Sequence, residues 1–344
     1  MDGRTLDTST LVLTGEAIAG LMTPRDYRQA VEAAFRAAAD GLGAAPAPMH
    51  IAGPDGGFHV KGAGFPAGAV GRSGRAYVAI KVNGNFPGNP ARNGRPTIQG
   101  AIVLCDGEDG RVLALMDSIE ITLQRTAAAS AVAASRLARP SSRRIAVLGC
   151  GAQALPQLRA LADILPLAAG CAWDQDLRRA RVVARAAADV GVMLEPTGDL
   201  AQATRGADVI VTCTTARTPF LRPEHVAPGT FVAAVGADSP DKSELAPELL
   251  QGATVVVDLL SQALAMGDLR HAVAAGALAA GDVHAELGEV VAGWKPGRSS
   301  EAETIVFDST GVAIQDVASA AVAYELALAR GVGEAVALAG TAAG

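Results

Sequence analysis

An apolar run of strand length, Ile145-Ala146-Val147-Leu148, ends in Gly149-Cys150-Gly151-Ala152-Gln153-Ala154, after which the pattern turns helical. Gly149 permits a tight turn, Gly151 lets the backbone approach a pyrophosphate, and Ala154, small in place of a third glycine, keeps the following helix close to the strand. The N-terminus of that helix then faces the phosphates. A second short strand closes on Asp174, about 20 residues beyond the turn, where the motif requires an acid. Gly149, Gly151, Ala152, Gln153 and Asp174 are therefore the candidate cofactor-binding residues, and the chain must contain an α/β domain of the Rossmann type.

At 344 residues, half of them hydrophobic, the chain suits two domains of ordinary size. Aromatics are 3% and the net charge is −6 with no long basic run, which argues against single-stranded and duplex nucleic acid alike. Met1-Asp2-Gly3-Arg4 has neither a basic start nor an apolar core, and no apolar run reaches the ~18 residues of a membrane span, so the expectation is a soluble, cytoplasmic protein with no membrane partner. Cys105, Cys150, Cys171 and Cys213 stand singly without CxxC spacing and read as buried thiols. Five scattered histidines without paired helical spacing predict no metal site.

Before the glycine turn, residues 9–14 read as a strand, 24–41 as a helix, and 57–62 and 76–82 as strands of a sheet. Lysine inside an apolar strand is costly unless it meets an anion, and Lys61 and Lys81 are both in that position. The alternative is a strand end with the ammonium in water; for Lys81, deep in its run, function is preferred, and for Lys61 the two readings are level. Residues 83–96 read as a loop, 97–104 with 112–116 as a hairpin, and 119–137 as a long helix. Arg125 near the start of that helix opposes the dipole, which tips it towards anion binding.

After the turn, helices alternate with strands ending at Asp174, Thr214, Asp238, Asp258 and Asp308, the pattern of a parallel sheet. Ligands in such folds gather at the carboxyl ends of strands, where Thr214, Asp238 and Ser309 lie. By spacing alone Asp238-Ser239-Pro240 serves a helix cap as well as it serves catalysis. Residues 314–330 read as a helix following the last strand, and residues past Leu338 as a loose tail.

Four ordered motifs, Lys81-Val82-Asn83-Gly84-Asn85-Phe86-Pro87-Gly88-Asn89, Leu123-Gln124-Arg125-Thr126-Ala127-Ala128-Ala129-Ser130-Ala131, Gly149-Cys150-Gly151-Ala152-Gln153-Ala154 and Val235-Gly236-Ala237-Asp238-Ser239-Pro240-Asp241-Lys242-Ser243-Glu244-Leu245, resemble those of the ornithine cyclodeaminase and mu-crystallin family over about residues 9–330. The resemblance implies a homodimer with a Rossmann NAD-binding domain, 131–314, and a mixed α+β substrate-binding and dimerisation domain, 1–130 with 315–344. It implies that Lys81 lies beside the substrate carboxylate and reacting carbon, that Arg125 grips the carboxylate, and that Asp238 is the catalytic aspartate. Thr97, Thr126 and Ser309 would line the phosphates and nicotinamide, and Asp174 would hold the adenosine ribose, an acid that repels a 2′-phosphate and so favours NAD (NADH) over NADP. Arg178 and Arg179 moderate that preference.

The chain departs from ornithine cyclodeaminases in offering Pro48-Met49-His50 for an arginine and about His59 for the glutamate that takes a distal amine. Lys61 falls where the family has methionine and could replace the missing arginine. The implied function is an NAD-dependent imine reductase or amino acid dehydrogenase acting on a small α-imino or α-amino acid. The alternatives are a cyclodeaminase releasing ammonia from a diamino acid and a non-catalytic binder of a small ligand that keeps its NAD(P)H.

Overall fold

The computed structural model describes residues 9–338 and divides into two compact units. Among the described residues the first comprises 9–26, 41–122 and 313–338; the second comprises 27–40 and 123–312. The joins therefore fall at 122/123 and 312/313, a few residues from the 130/131 and 314/315 of the sequence reading, and the segment 27–40 groups with the second unit. There the helix Pro24–Ala39 donates from Arg36 to the Val291 carbonyl at 2.8 Å, and Glu32 accepts from Arg136 at 2.9 Å.

The first unit is built on a seven-stranded mixed sheet: β1 (Thr10–Leu13), β2 (Met49–Gly53), β3 (Gly56–Phe65), β4 (Tyr77–Asn85), β5 (Ile98–Asp106), β6 (Val112–Asp117) and β15 (Glu334–Val336), in the order β15-β1-β6-β5-β4-β3-β2. Only β1 and β6 run parallel; every other pair is antiparallel. Alternation decides the two faces. Tyr77, Ala79 and Lys81 of β4 are buried on the face covered by the helix Ala313–Arg330, while Ile80 and Val82 point the other way and are exposed. Ile102, Leu104, Ala63 and Phe65 complete the buried face, each large side chain contributing about 1.5–3 kcal/mol by leaving water. The helix offers Ala318, Ala320, Ala321 and Ala323 from its buried residues, and small side chains let it lie close. The expected loop 83–96 is shorter: β4 runs on to Asn85 and a helical turn occupies Asn89–Asn93, because β3 pairs with β4 over its whole length. The short edge strand β15 has too little pattern for the sequence to show. The expected loose tail past Leu338 lies outside the described residues.

The second unit is an eight-stranded, wholly parallel sheet: β7 (Arg144–Leu148), β8 (Ala169–Trp173), β9 (Met193–Thr197), β10 (Val209–Thr212), β11 (Phe231–Ala234), β12 (Thr254–Val257), β13 (Ala285–Glu286) and β14 (Ile305–Asp308). Its order, β9-β8-β7-β10-β11-β14-β12-β13, begins with the 3-2-1-4-5 arrangement of dinucleotide-binding sheets. The strand direction reverses its walk across the sheet between β7 and β10, which is where such folds open a crevice. Continuous runs such as Ile145 to Leu148 are buried on both faces, as a sheet covered by helices on each side demands. Among the described residues no helix is long and apolar enough to cross a membrane.

Candidate active site

The glycine turn closes β7 at the switch point. Gly149 has φ +100, a conformation that L side chains rarely adopt, and a Cβ there would meet Thr214 Cγ2 at 2.7 Å and the Cys213 carbonyl at 2.8 Å. Glycine is therefore required twice over, and the turn is pressed against the end of β10. A Cβ on Gly151 would meet nothing within 4 Å, so that residue borders open space. Ala154 is fully buried at the start of the helix Ala154–Ala162, whose N-cap residue Gln153 makes no side-chain cap, leaving the helix N-terminus to a ligand or water. Asp174 follows β8 and accepts from the Cys150 N–H at 2.9 Å and the Asp176 N–H at 2.8 Å, which fixes its carboxylate beside the turn. Arg178 is engaged by Asp176 through two hydrogen bonds, at 3.0 and 3.1 Å. The turn, the uncapped helix and the fixed acid together suit the pyrophosphate and ribose of a dinucleotide.

The cysteines at this turn are held as neutral thiols by burial. Burial, with Asp174 nearby, pushes the Cys150 thiol up to about 12, and burial raises Cys213 well above its ordinary value. Cys150 and Cys171 are buried as expected, whereas Cys105 and Cys213 are only partly so by whole-residue exposure. The Cys213 sulfur lies 3.0 Å from the Gly149 carbonyl.

The remaining strand ends are tied together by buried carboxylates. Glu244 accepts from the Thr214 N–H at 2.6 Å, the Thr214 hydroxyl at 2.7 Å, the Thr212 hydroxyl at 2.6 Å and the Gly236 N–H at 2.8 Å. Its carboxyl is nevertheless pushed up to about 7, by burial first and by the charge of Asp268 second. Asp268 in turn accepts from the Glu244 and Leu245 N–H groups at 2.7 and 3.0 Å. Asp258 accepts from the N–H groups of Thr310 and Gly311, both at 2.7 Å, and so shapes the loop that carries Ser309. Sequence reasoning gave Glu244 and Asp258 no role. For Asp258 the signal was available in its place, an acid directly after the apolar strand Thr254–Val257; for Glu244, in a loop after Ser243, no local pattern marks it.

Asp238 stands exposed past β11, its carboxylate 2.6 Å from the Lys242 ammonium. The capping alternative fails: the next helix is Pro247–Gln251, its N-cap residue is Ala246, and Asp238 starts nothing. Arg125 is 5% exposed, and its guanidinium lies where a Cβ on Gly311 would come, 2.7 Å from one nitrogen. The helix that carries it is Ser118–Leu137, begun by Asp117, which accepts from the Ile119 and Glu120 N–H groups at 2.9 and 3.1 Å. Arg125 thus sits in the third turn, beyond the reach of the helix dipole, and the argument from the dipole is corrected to one from burial. Thr126, next in the helix, is also buried, as is Ser309. A buried, planar cation beside the β14 loop is suited to a carboxylate.

In the first unit Lys81 is buried mid-strand on the helix-covered face. Its ammonium lies 2.7 Å from Asp316 of the helix Ala313–Arg330, both side chains about 5% exposed or less, and 3.5 Å from the Thr122 hydroxyl. Asp316 was missed, although an acid in an apolar helix poses the same question as a lysine in an apolar strand and each answers the other. Lys61 is the direct cross-strand partner of Lys81, and His59 pairs with Asn83 on one side and His50 on the other. Thr97 lies just before β5, where its carbonyl accepts from the Phe86 N–H at 2.8 Å.

A model of the ornithine cyclodeaminase/mu-crystallin family matches residues 8–331. An alanine dehydrogenase of Archaeoglobus fulgidus is 39% identical over 94% of this chain and 97% of its own length. Among solved structures, an archaeal alanine dehydrogenase dimer with bound NAD is 38% identical with a TM-score of 0.90, covering 95% of this chain and 99% of that one. The iminosuccinate reductase of Paracoccus denitrificans in complex with NAD+ is 34% identical with a TM-score of 0.88, again over 95% and 99%.

Proposed function

The chain belongs to the ornithine cyclodeaminase/mu-crystallin family, and on that footing we propose that it is an NAD-dependent imine reductase or amino acid dehydrogenase acting on a small α-imino or α-amino carboxylic acid. The observation that carries the reading is the gathering, at the carboxyl ends of one parallel sheet, of the Gly149 turn, the fixed Asp174, the buried Arg125 against Gly311 and the exposed acid Asp238. Relatives whose names state this chemistry, and whose structures carry NAD, support it.

Arg125 holds the substrate carboxylate by a bidentate pair. Lys81, kept charged by Asp316, supplies a second positive group for the carboxylate and the reacting carbon. Asp238, reachable by solvent and beside Lys242, delivers the proton to the imine nitrogen or removes it in the reverse direction. NADH, when bound, supplies the hydride, so that imine, NADH and one proton give amine and NAD+. Backbone at Gly149, Gly151, Ala152 and Gln153, with Thr97, Thr126, Thr214 and Ser309, lines the cofactor, and Asp174 takes the ribose hydroxyls, selecting NAD over NADP.

The test is purified protein with NADH or NADPH, a panel of α-keto acids and ammonia or methylamine, followed at the nicotinamide absorbance. NADH should disappear in step with the keto acid. Ammonia release from a diamino acid with only catalytic NAD would establish the cyclodeaminase alternative instead, and tight NADH binding with no turnover on any substrate would establish the binder.

The same reading includes a homodimer. The uncovered face of the first sheet exposes Met49, Ile51, Phe58, Ile80 and Val82 together, an apolar patch of the kind that marks an interface, and one of the solved relatives is described as a dimer. Wild-type protein should sediment as a dimer and Ile80→Glu as a monomer; a monomeric wild type would refute the assignment.

A further inference from the structure

We propose that Asp176, two residues beyond the ribose acid, is a second determinant of cofactor choice: it engages Arg178 in an ion pair and so withholds the guanidinium that a 2′-phosphate would call for; the inference rests on the NAD reading of Asp174 and the glycine turn. Residues 174–179 read Asp-Gln-Asp-Leu-Arg-Arg, two acids against two arginines. By sequence alone such a segment suits either dinucleotide, because an acid at the strand end takes ribose hydroxyls whereas a nearby arginine takes a 2′-phosphate. The fold separates the two. The Asp174 carboxylate is fixed by backbone N–H groups, those of Cys150 and Asp176, at 2.9 and 2.8 Å. Asp176 stands at the N-cap of the helix Leu177–Ala186, where its Oδ1 accepts from the Arg178 N–H at 3.0 Å. The same carboxylate meets the guanidinium side-on: Arg178 Nε donates to Oδ1 at 3.0 Å and Nη2 to Oδ2 at 3.1 Å. One residue thus engages both oxygens. These hydrogen bonds hold the Asp176 carboxyl below its ordinary value and the Arg178 guanidinium above its own.

A bidentate pair is also how arginine grips a phosphate, so Arg178 cannot serve Asp176 and a 2′-phosphate at once. NADPH must break the pair, set its phosphate against the Asp176 carboxylate so released, and still pass Asp174. The pair lies in solvent, the Arg178 side chain being 86% exposed, so its worth is a few-fold in affinity and not orders of magnitude. Asp174 sets the preference and Asp176 extends it. A structural role is the rival account, since Asp176 caps a helix whose first turn holds Arg178 and Arg179 and no acid. Serine separates the two roles: it caps as aspartate does but cannot pair with a guanidinium.

Fluorescence titration of the full chain with NADH and with NADPH makes the test, on wild type, Asp176→Ser, and Asp176→Ser combined with Arg178→Ala. The wild type should bind NADH more tightly than NADPH. Asp176→Ser should bind NADPH about fivefold more tightly than wild type, with NADH within about twofold, and adding Arg178→Ala should return most of that gain. The gain should shrink in about 1 M salt, where screening acts within about 3 Å. If the serine variant does not fold, Asp176→Asn, likewise a cap without charge, takes its place with the same expectation. An NADPH affinity unmoved in the variant, or a gain that survives Arg178→Ala, overturns the proposal and leaves the NAD reading in place. A wild type that binds NADPH more tightly than NADH, or binds neither, overturns the NAD reading and the proposal together.

Discussion

In the second unit the polar groups at the site lie beyond the ends of parallel strands, where the ladder has stopped and backbone N–H groups are available to them. Asp258 takes three such donors, Asp174 two, Asp268 two and Glu244 two. In the first unit the polar groups stand in the middle of strands, where β3, β4 and β5 have already consumed the backbone donors on one another. Lys81 is there answered by side chains, the carboxylate of Asp316 from a helix and the hydroxyl of Thr122 among them. The first arrangement spreads the holding of a charge over several fixed amides, and the second rests it on side chains, with the buried ion pair to Asp316 at 2.7 Å. The strand-end sites should therefore degrade by degrees on mutation and the mid-strand site should fail at once.

The largest effect expected is at that ion pair. Lys81→Met removes the ammonium paired with the buried Asp316 and should destabilise the protein by about 3–5 kcal/mol in urea unfolding, together with loss of turnover. Lys81→Met with Asp316→Leu should recover most of the stability and none of the activity. A double variant no more stable than the single one would show that the pair is not what holds the helix to the sheet.

Next in size is Gly149→Ala. A Cβ there meets Thr214 and Cys213 in a left-handed conformation, so roughly 1–3 kcal/mol of strain should appear in the melting transition, with weakened NADH binding by fluorescence titration. Gly151→Ala, which meets no protein atom, should leave the melting temperature nearly unchanged while weakening NADH, because only a ligand would contact the added methyl. Equal effects of the two on melting would contradict the division of labour within the turn.

A smaller effect follows from Glu244. Its carboxyl titrates near pH 7 in the fold against an ordinary value of 4.5, so between those values the folded state binds the proton that the unfolded chain has released. That contribution to stability is complete below pH 4.5 and is lost as pH rises through about 7. Stability measured by urea from pH 5 to 7.5 should decline, and Glu244→Gln should flatten the slope. An unaltered slope in the variant would assign the titration to another group.

Much of the second unit was legible because its constraints are local. A tight turn at Gly149 needs positive φ, and a buried parallel strand needs an unbroken apolar run. The first unit was less so. Its strands carry mixed patterns, and the residues that matter pair across β2, β3 and β4 or with a helix more than 200 positions away. Arg125 was found for a reason that the helix start at Ser118 removes, and what singles it out, burial against Gly311, belongs to contacts at long range.

The sequence by itself determined the dinucleotide turn, the order of strands and helices that makes a parallel sheet, and the presence of charged residues in apolar surroundings, because each depends on neighbours within a few residues. Only the tertiary structure decided which charges answer one another. Register set Lys61 opposite Lys81, helix packing brought Asp316 to Lys81, and the loop after β14 made room for Arg125. Charge pairing in a buried site is a matter of ångströms, and the chain specifies those only by closing on itself.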